Sequence, residues 1–179
     1  EDRVWAKNIY RCRPMNVLIE FNLIYQVREQ FLRFCELDDL EWPKGEPDYF
    51  KVTGHDLTEV PIDFWYTLKA TPEAGSLIKA LGMFGGCVSS TICTMTEAIS
   101  KFEIVHSIVS FCVPFIPIQG ILKAERFPSS LTLIDDSDEE IEAWKGPKLL
   151  IPKPWNSGVG DPQEILHEFL SHEGPALKS

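Results

Sequence analysis

Histidine is the residue type in this sequence that most suggests metal chemistry, but its spacing is wrong for a shared ion. His167 and His172 stand five positions apart. A metal-binding helix carries its two histidines four positions apart, so that both rings face the same ion. A spacing of five turns the second ring by about 140° around the helix axis. The spacing therefore predicts two solvated histidines and no metal site.

Cysteine and glycine patterns also fail to predict a catalytic centre. A cysteine nucleophile needs a histidine within hydrogen-bond reach, and the nearest pair in the sequence, His106 and Cys112, lies in or beside its most apolar part. Cys87 and Cys93 have no second pair to complete a zinc site. The glycines of residues 82–86 follow a predicted helix and lack the lysine of a phosphate-binding loop. We therefore predict a protein that is not an enzyme and binds no cofactor.

Composition and charge restrict the classes of partner. The 179 residues are 44% hydrophobic and 25% charged, which suits one globular domain. A net charge of −10 repels phosphate backbones, so we expect no direct nucleic-acid binding.

No apolar run reaches membrane-spanning length, so we expect no membrane insertion. The irregularly spaced cysteines are typical of reduced thiols. The first residues form neither a signal peptide nor a start methionine, which suggests a fragment with residues missing upstream.

Helical periodicity dominates the chain. Apolar residues at spacings of three and four predict a helix over residues 16–37. The best candidate for a strand covers residues 131–134, and residues 48–52 form a second, short candidate for extended structure. Further predicted helices cover residues 61–70, 71–84, 88–112, 117–126 and 161–172. The predicted fold is therefore mostly α, a compact multi-helix single domain with at most a minor short β element.

Charge and proline content divide the chain into three parts. Residues 1–134 form the predicted helical core. Residues 135–160 begin with an acidic run and continue with proline and glycine breaks, so we predict a segment that packs on the core or links from it. Residues 161–179 are predicted to form a short C-terminal helix and a loose tail.

The acidic segment has two interpretations. It is either a solvated loop or a segment that binds the basic surface of a partner, with tryptophans as anchors. On the second interpretation, deleting residues 135–142 leaves the core folded and weakens partner binding in a salt-dependent way. The candidate partner-binding residues are Asp135, Asp136, Asp138, Glu139, Glu140, Trp144 and Trp155.

The apolar run over residues 111–118 predicts self-association. A single domain must either bury such a run or present it to a second copy. We therefore expect a homo-oligomer. The candidate contact residues are Phe111, Phe115, Ile116 and Ile118.

A proline-rich turn follows the first predicted helix. Its structural residues are Trp42, Pro43, Gly45 and Pro47. Two prolines and a glycine in so short a stretch exclude a helix. We predict that the indole of Trp42 fills the edge of the core.

This turn resembles one in the NSs proteins, the non-structural proteins that phleboviruses (bunyaviruses) encode on their small genome segment. In that family a Trp-Pro-x-Gly-x-Pro turn follows an N-terminal helix. The stretch Thr96-Glu97-Ala98-Ile99 stands at an offset similar to that of a helical stretch in the family, and residues 111–127 resemble its apolar, proline-containing segment. The resemblance covers roughly residues 16–127, the core domain.

The resemblance implies a mostly helical virulence factor without enzyme chemistry. Such a protein binds host innate-immune, transcription or translation factors, antagonises interferon induction, self-associates, and acts in the host cytoplasm or nucleus. The acidic C-terminal motif with which some members contact a transcription factor is not found in the sequence, so that activity is not carried over. The alternative is an intracellular helical scaffold or adaptor domain unrelated to viruses.

Overall fold

A five-stranded sheet, and not a bundle of helices, organises the fold. The computed structural model describes residues 16–108 and 113–176. The neighbouring strands pair in parallel, in the order β3-β2-β1-β4-β5. The prediction of a mostly α fold was wrong, and the protein is α/β. The strands are β1 (Val17–Glu20), β2 (Gly86–Thr91), β3 (Phe115–Ile118), β4 (Thr132–Asp135) and β5 (Lys148–Leu150).

Helices occupy most of the connections between the strands. The predicted helix over residues 16–37 is β1 followed by two short helices. The predicted helix over residues 88–112 contains β2 in its first part. The helices are α1 (Phe21–Ile24), α2 (Val27–Phe34), α3 (Tyr49–Thr53), α4 (Ile62–Tyr66), α5 (Ala74–Phe84), α6 (Met95–Ile108), α7 (Lys123–Arg126), α8 (Asp138–Ala143) and α9 (Pro162–Ala176).

The first strand shows why helical periodicity was misleading. Strands of a parallel sheet are covered on both faces and therefore read as continuous apolar runs. Val17, Leu18 and Ile19 are all fully buried, so β1 lacks the alternation of a half-exposed strand. Its apolar residues merge with those of the following helices into one apparent stripe.

The chain winds outward from β1 in two directions. It passes first to β2 and β3 on one side, and then returns to place β4 and β5 on the other side. This is the order of a doubly wound sheet. The winding reverses between β1 and β4, so the connections that leave these two strands diverge. A crevice forms at the carboxyl ends of the strands at this point.

Helices cover both faces of the sheet. Ile19 packs in the larger core, with Leu77 of α5 and Leu166 of α9. Leu18 points to the opposite face, where it packs with Leu133 and Trp144. Successive side chains of a strand alternate between faces, so β1 contributes to both cores. The acidic, proline-containing part of the chain supplies α8 and β5 to this same structure.

Gly86 opens β2 at a point of close backbone approach. Its φ is 133°, and a Cβ at this position would lie 1.9 Å from the carbonyl oxygen of Val17. Only glycine fits such an approach without displacing the strand. The glycine pair that the sequence suggested as a helix end thus also brings β2 against β1.

Among the described strands, β3 lies at one edge of the sheet. Phe115 and Ile118 are buried, and Ile116 is half-buried. Phe111, the remaining candidate for self-association, lies outside the described residues. Pro117 lacks a backbone N–H, and proline is confined to edge strands because it cannot donate to a ladder. No helix within residues 16–108 or 113–176 is both long and apolar enough to span a membrane.

Candidate functional site

Charged and hydroxyl side chains collect at the carboxyl edge of the sheet. Glu20 is the last residue of β1, Asp135 is the last residue of β4, and Ser90 lies near the end of β2. Lys123, the first residue of α7, reaches the same place. All four side chains are buried. Because the carboxyl ends of parallel strands meet at one edge, residues far apart in the sequence come together there.

Lys123 bridges the two central strands. Its Nζ lies 2.5 Å from Oε2 of Glu20 and also contacts Oδ2 of Asp135. Burial disfavours the charged ammonium, but the carboxylates of Asp135 and Glu20 outweigh it and raise the pKa of Lys123. The ammonium therefore stays charged and joins β1 to β4.

Two more buried carboxyl groups adjoin this bridge. Glu140 accepts a hydrogen bond of 2.8 Å from the backbone N–H of Lys123. Burial raises the pKa of Asp135 to about 6, although Lys123 opposes the shift. Burial also raises the pKa of Asp136, and the charge of Glu20 raises it further against the opposing charges of Arg28 and Lys123. The site therefore holds more carboxylates than one ammonium balances.

An enclosed cavity of about 260 Å³ lies beside Asp136. Its lining combines acids with an arginine and an indole. Because Asp136 directly follows β4, the cavity lies at the carboxyl edge of the sheet. The lining includes Arg28, Pro47, Asp136, Ser137, Asp138 and Trp155.

Aromatic rings enclose the guanidinium of Arg28 at the cavity wall. Its Cζ lies 4.8 Å from the ring centre of Trp42, 4.4 Å from that of Tyr49 and 4.5 Å from that of Trp155. Cation–π contacts of this kind are strongest where water is excluded, and Arg28 is buried. Its Nη1 donates a hydrogen bond of 2.8 Å to the carbonyl oxygen of Pro47. Arg28 thus ties the turn to α2.

The proline-rich turn forms another wall of this cavity. Trp42 is 8% exposed and donates a hydrogen bond of 2.6 Å from Nε1 to the carbonyl oxygen of Glu46. Gly45 adopts a φ of 78°, in the left-handed region that favours glycine. Its N–H donates a bond of 2.9 Å to the carbonyl oxygen of Pro154. The turn therefore connects the chain between α2 and α3 to the C-terminal part of the protein.

A second buried lysine extends the polar network toward α6. Nζ of Lys101 lies 2.8 Å from Oε2 of Glu97 and 2.7 Å from Oγ of Ser90. Oγ of Ser90 lies 3.4 Å from Oε1 of Glu20. The network is therefore continuous from α6 across β2 and β1 to β4.

The acidic segment is divided between the core and the surface. The side chains of Asp138 and Glu139 are exposed. The indole of Trp155 donates a hydrogen bond of 3.0 Å to Oδ2 of Asp136. The other candidate partner-binding residues are buried and cannot contact a partner in this conformation, namely Asp135, Asp136, Glu140, Trp144 and Trp155.

Two of the histidines weighed from the sequence, His106 and His167, are exposed and lie on α6 and α9. His106 is exposed and stacks on Phe102 at 4.2 Å between ring centres. His167 is exposed on α9, and Cys112 lies outside the described residues. Over the part of the chain that the structure describes, no group of three or more histidine, cysteine, aspartate or glutamate side chains is arranged to hold a metal ion.

Sequence reasoning missed Glu20, Ser90, Arg28 and Lys123. The available signal was the acidic pair Asp135-Asp136 directly after the predicted strand over residues 131–134. Acids that follow a buried strand are placed at the edge where α/β proteins bind ligands. A glutamate that ends an apolar run gives the same signal at residue 20, once that run is recognised as a strand.

The fold and the site together define a doubly wound α/β protein with a buried ionic cluster at the carboxyl edge of its sheet. No family model matches the chain, and no curated protein matches it significantly. The function is therefore inferred from the chemistry of the site.

Proposed function

We propose that the protein binds a phosphorylated small molecule together with a divalent cation at the carboxyl edge, between β1 and β4. Sheets of this winding order bind ligands in the crevice where the winding reverses. The observation that carries the proposal is the burial of several carboxylates at this edge, where the one ammonium of Lys123 pairs with both Glu20 and Asp135. Asp136, the next residue in the chain, is buried as well, and burial and then the charge of Glu20 raise its pKa. A bound cation would relieve the repulsion among these carboxylates.

The oxygen atoms at this point suit magnesium. Mg²⁺ prefers oxygen ligands and is commonly held by one or two carboxylates, with water and substrate phosphate completing its shell. Glu20 and Asp136 supply the carboxylates. Asn22 follows Glu20 closely, and its Oδ1 is buried without a hydrogen-bond partner. A magnesium site of this kind needs no third acidic side chain, because a phosphate oxygen of the bound molecule completes the coordination of the ion.

Lys123 supplies a donor for the phosphate. A lysine ammonium has three N–H groups, and Lys123 directs two of them to Glu20 and Asp135. We propose that the third donates to a phosphate oxygen, a common role of lysine.

The cavity determines the size of the remaining part of the ligand. A volume of about 260 Å³ admits a small organic group rather than a polymer. Trp155 and Arg28 both line the cavity, and Arg28 adds positive charge. The ligand is therefore a small phosphate ester.

This arrangement defines a reaction class that can be tested. In such a reaction a carboxylate attacks phosphorus as the P–O bond to the alcohol breaks, and the alcohol leaves with a proton from water. A second water hydrolyses the acyl phosphate to carboxylate and inorganic phosphate. We propose Glu20 as this carboxylate. The sequence analysis predicts no enzymatic activity. Hydrolysis of p-nitrophenyl phosphate in the presence of Mg²⁺ decides between these two expectations.

Calorimetric titration tests the binding proposal. Mg²⁺, inorganic phosphate and the two together are titrated into the wild type, Asp136→Asn and Glu142→Gln. Glu142 is an exposed acid of the same segment that does not line the cavity. We expect Asp136→Asn to weaken Mg²⁺ binding about tenfold or more, equivalent to about 1.4 kcal/mol, while Glu142→Gln leaves it unchanged. A wild type that binds neither Mg²⁺ nor phosphate, or an equal loss in both variants, would overturn the proposal.

The host-factor-binding function implied by the NSs resemblance stays a prediction. That resemblance implies a mostly helical core, with which the parallel sheet does not agree. Of the candidate partner-binding residues, only Asp138 and Glu139 expose their side chains.

A further inference from the structure

We propose that Lys101 is a positioning residue for this site, and that it acts on the carboxylate of Glu20 through the hydroxyl of Ser90. The inference rests on the proposed function for its consequence in ligand binding. Its geometry can be tested without any ligand. Lys101 does not line the cavity beside Asp136, so its effect on a ligand must pass through other residues.

The ammonium of Lys101 is held by groups from several elements. It is 1% exposed. Glu97 on α6 lies 2.8 Å from Nζ, and Ser90 on β2 lies 2.7 Å from it. The rings of Phe21 and Trp65 lie 4.8 Å and 5.0 Å from Nζ, within cation–π range. These contacts leave the ammonium little freedom to move.

The chemistry of Lys101 and Ser90 determines the direction of the hydrogen bond between them. A lysine ammonium only donates, so Oγ of Ser90 must accept from Lys101. The hydroxyl then has its single proton to donate elsewhere. Two acceptors are in reach, Oε1 of Glu20 at 3.4 Å and the carbonyl oxygen of Thr91 at 3.3 Å. A bond to an ionised carboxylate is the stronger of the two. Lys101 therefore directs the Ser90 proton toward Glu20.

Both oxygens of Glu20 are held as a result. Oε1 faces Ser90 and the backbone N–H of Asn22, while Oε2 contacts Lys123. The plane of the carboxylate is thereby determined from two sides. Removing Lys101 frees the Ser90 hydroxyl to rotate, and the orientation of Glu20 then rests on Lys123 and Asn22 alone.

A purely stabilising role does not account for a lysine at this position. Replacing a buried ion pair by apolar side chains of similar size is often neutral or stabilising. A methionine at position 101 could pack against Phe21 and Trp65 as the lysine stem does. The charged pair of Lys101 and Glu97 therefore suits a role in orienting its neighbours.

The experiment uses a variant that removes the charged pair as a unit. Lys101→Met alone leaves Glu97 buried without its partner, which threatens folding. Lys101→Met combined with Glu97→Gln is close in shape to the wild type and adds no uncompensated charge. The control is Lys153→Met combined with Glu73→Gln, which removes another lysine–glutamate bridge, at 3.1 Å, that does not involve Glu20. Urea unfolding verifies that each variant is folded.

The first readout is the ¹³Cδ NMR signal of Glu20, assigned with Glu20→Gln. We expect this signal to move in the Lys101/Glu97 variant and stay in place in the Lys153/Glu73 control. In a Ser90→Ala background, the Lys101/Glu97 change should no longer move it. A signal that moves equally with and without the Ser90 hydroxyl, or does not move at all, would overturn the inference even if the protein binds no ligand.

The second readout is the affinity for Mg²⁺ and inorganic phosphate together. We expect the Lys101/Glu97 variant and Ser90→Ala each to weaken binding about tenfold, and their combination to be no weaker than Ser90→Ala alone. If the losses in affinity multiply in the combined variant, Lys101 acts independently of Ser90, which would contradict the inference. A wild type without binding would overturn the proposed function, while the NMR signal would still decide the positioning role.

Discussion

Nζ of Lys123 lies 2.5 Å from Oε2 of Glu20, although 103 residues separate the two in the sequence. Lys123 is the first residue of α7, and Glu20 is the last residue of β1. Their contact holds the central strand to the connection that precedes β4. Asp135 accepts from the same ammonium, so one buried cation serves two carboxylates.

Lys123→Met should therefore destabilise the fold strongly. Removing one partner of a buried ion pair costs about 3–5 kcal/mol, because it leaves uncompensated charge behind. Combining the change with Glu20→Gln and Asp135→Asn should recover most of this loss, since no buried charge is then left unpaired at the bridge. Urea unfolding at pH 7 measures both effects. A Lys123→Met protein as stable as the wild type would show that the bridge is not closed in solution.

Asp136→Asn should change how stability depends on pH. The raised pKa of Asp136 means that the folded chain holds this proton more tightly than the unfolded chain. The contribution of Asp136 to stability therefore falls as the pH rises from the ordinary aspartate pKa of about 3.9 toward neutrality. The amide does not titrate, and its oxygen can still accept from Trp155.

We therefore expect Asp136→Asn to gain stability relative to the wild type as the pH rises above the ordinary aspartate pKa of about 3.9. Adding Mg²⁺ at pH 7 should stabilise the wild type and reduce this advantage. Urea unfolding at several pH values measures both. If the difference between the two proteins stays constant with pH, Asp136 titrates as an ordinary aspartate.

Trp42→Ala should remove the contact between the turn and the C-terminal part of the chain. The indole is buried against Trp155, with 6.2 Å between ring centres, and its loss should cost about 3–5 kcal/mol. Trp42→Phe retains part of the apolar contact but not the hydrogen bond to Glu46, so its effect should be smaller. Thermal unfolding compares the three proteins. Equal midpoints for the wild type and Trp42→Ala would contradict a structural role of the turn.

The acidic run should respond differently to substitution and to deletion. Glu139→Gln and Glu142→Gln change exposed side chains and should alter stability by no more than about 0.5 kcal/mol. Deleting residues 135–142 removes Asp135, Asp136 and all of α8 except its last residue. The structure leads us to expect loss of cooperative unfolding, in contrast to the folded core expected from the sequence. Circular dichroism during urea titration tests this, and a deletion variant that unfolds cooperatively would contradict it.

Self-association stays a prediction, and the structure changes the residues that test it. Phe115 and Ile118 are buried, whereas Ile99 and Phe102 on α6 are 52% and 47% exposed and line a groove next to β3. If copies associate here, Ile99→Asp with Phe102→Asp should lower the mass measured by light scattering, and Met83→Asp should not. Met83 is a similarly exposed residue of α5, at 48%. An oligomer unaffected by the double change would place the contact elsewhere.

The spacing of apolar residues was sufficient to predict a helix or strand where the element has one exposed face. The predicted helix over residues 71–84 corresponds to α5 (Ala74–Phe84), and the last predicted helix, from residue 161 to about residue 172, corresponds to α9 (Pro162–Ala176). The strand predicted over residues 131–134 is β4. Strands β1 and β2 were missed because both of their faces are covered, which removes the alternation that identifies a strand. Strand β5 is too short for any periodicity to be recognised.

The site depends on strand order, which local patterns do not contain. Glu20, Ser90, Lys123 and Asp135 lie in four separate parts of the sequence, and each is an ordinary polar residue in its own neighbourhood. They meet because β1 lies between β2 and β4. A sequence analysis that recognised parallel strands could have placed their terminal polar residues at one edge.

Anomalous diffraction from crystals soaked in Mn²⁺ tests the central claim most directly. Mn²⁺ accepts the same oxygen ligands as Mg²⁺ and scatters anomalously, which locates it without reference to an assumed site. The account predicts an anomalous peak at the carboxyl edge of the sheet, between the carboxylates of Glu20 and Asp136, that Asp136→Asn abolishes. A peak confined to the exposed acids of α8, or no peak at saturating Mn²⁺ with phosphate present, would contradict it.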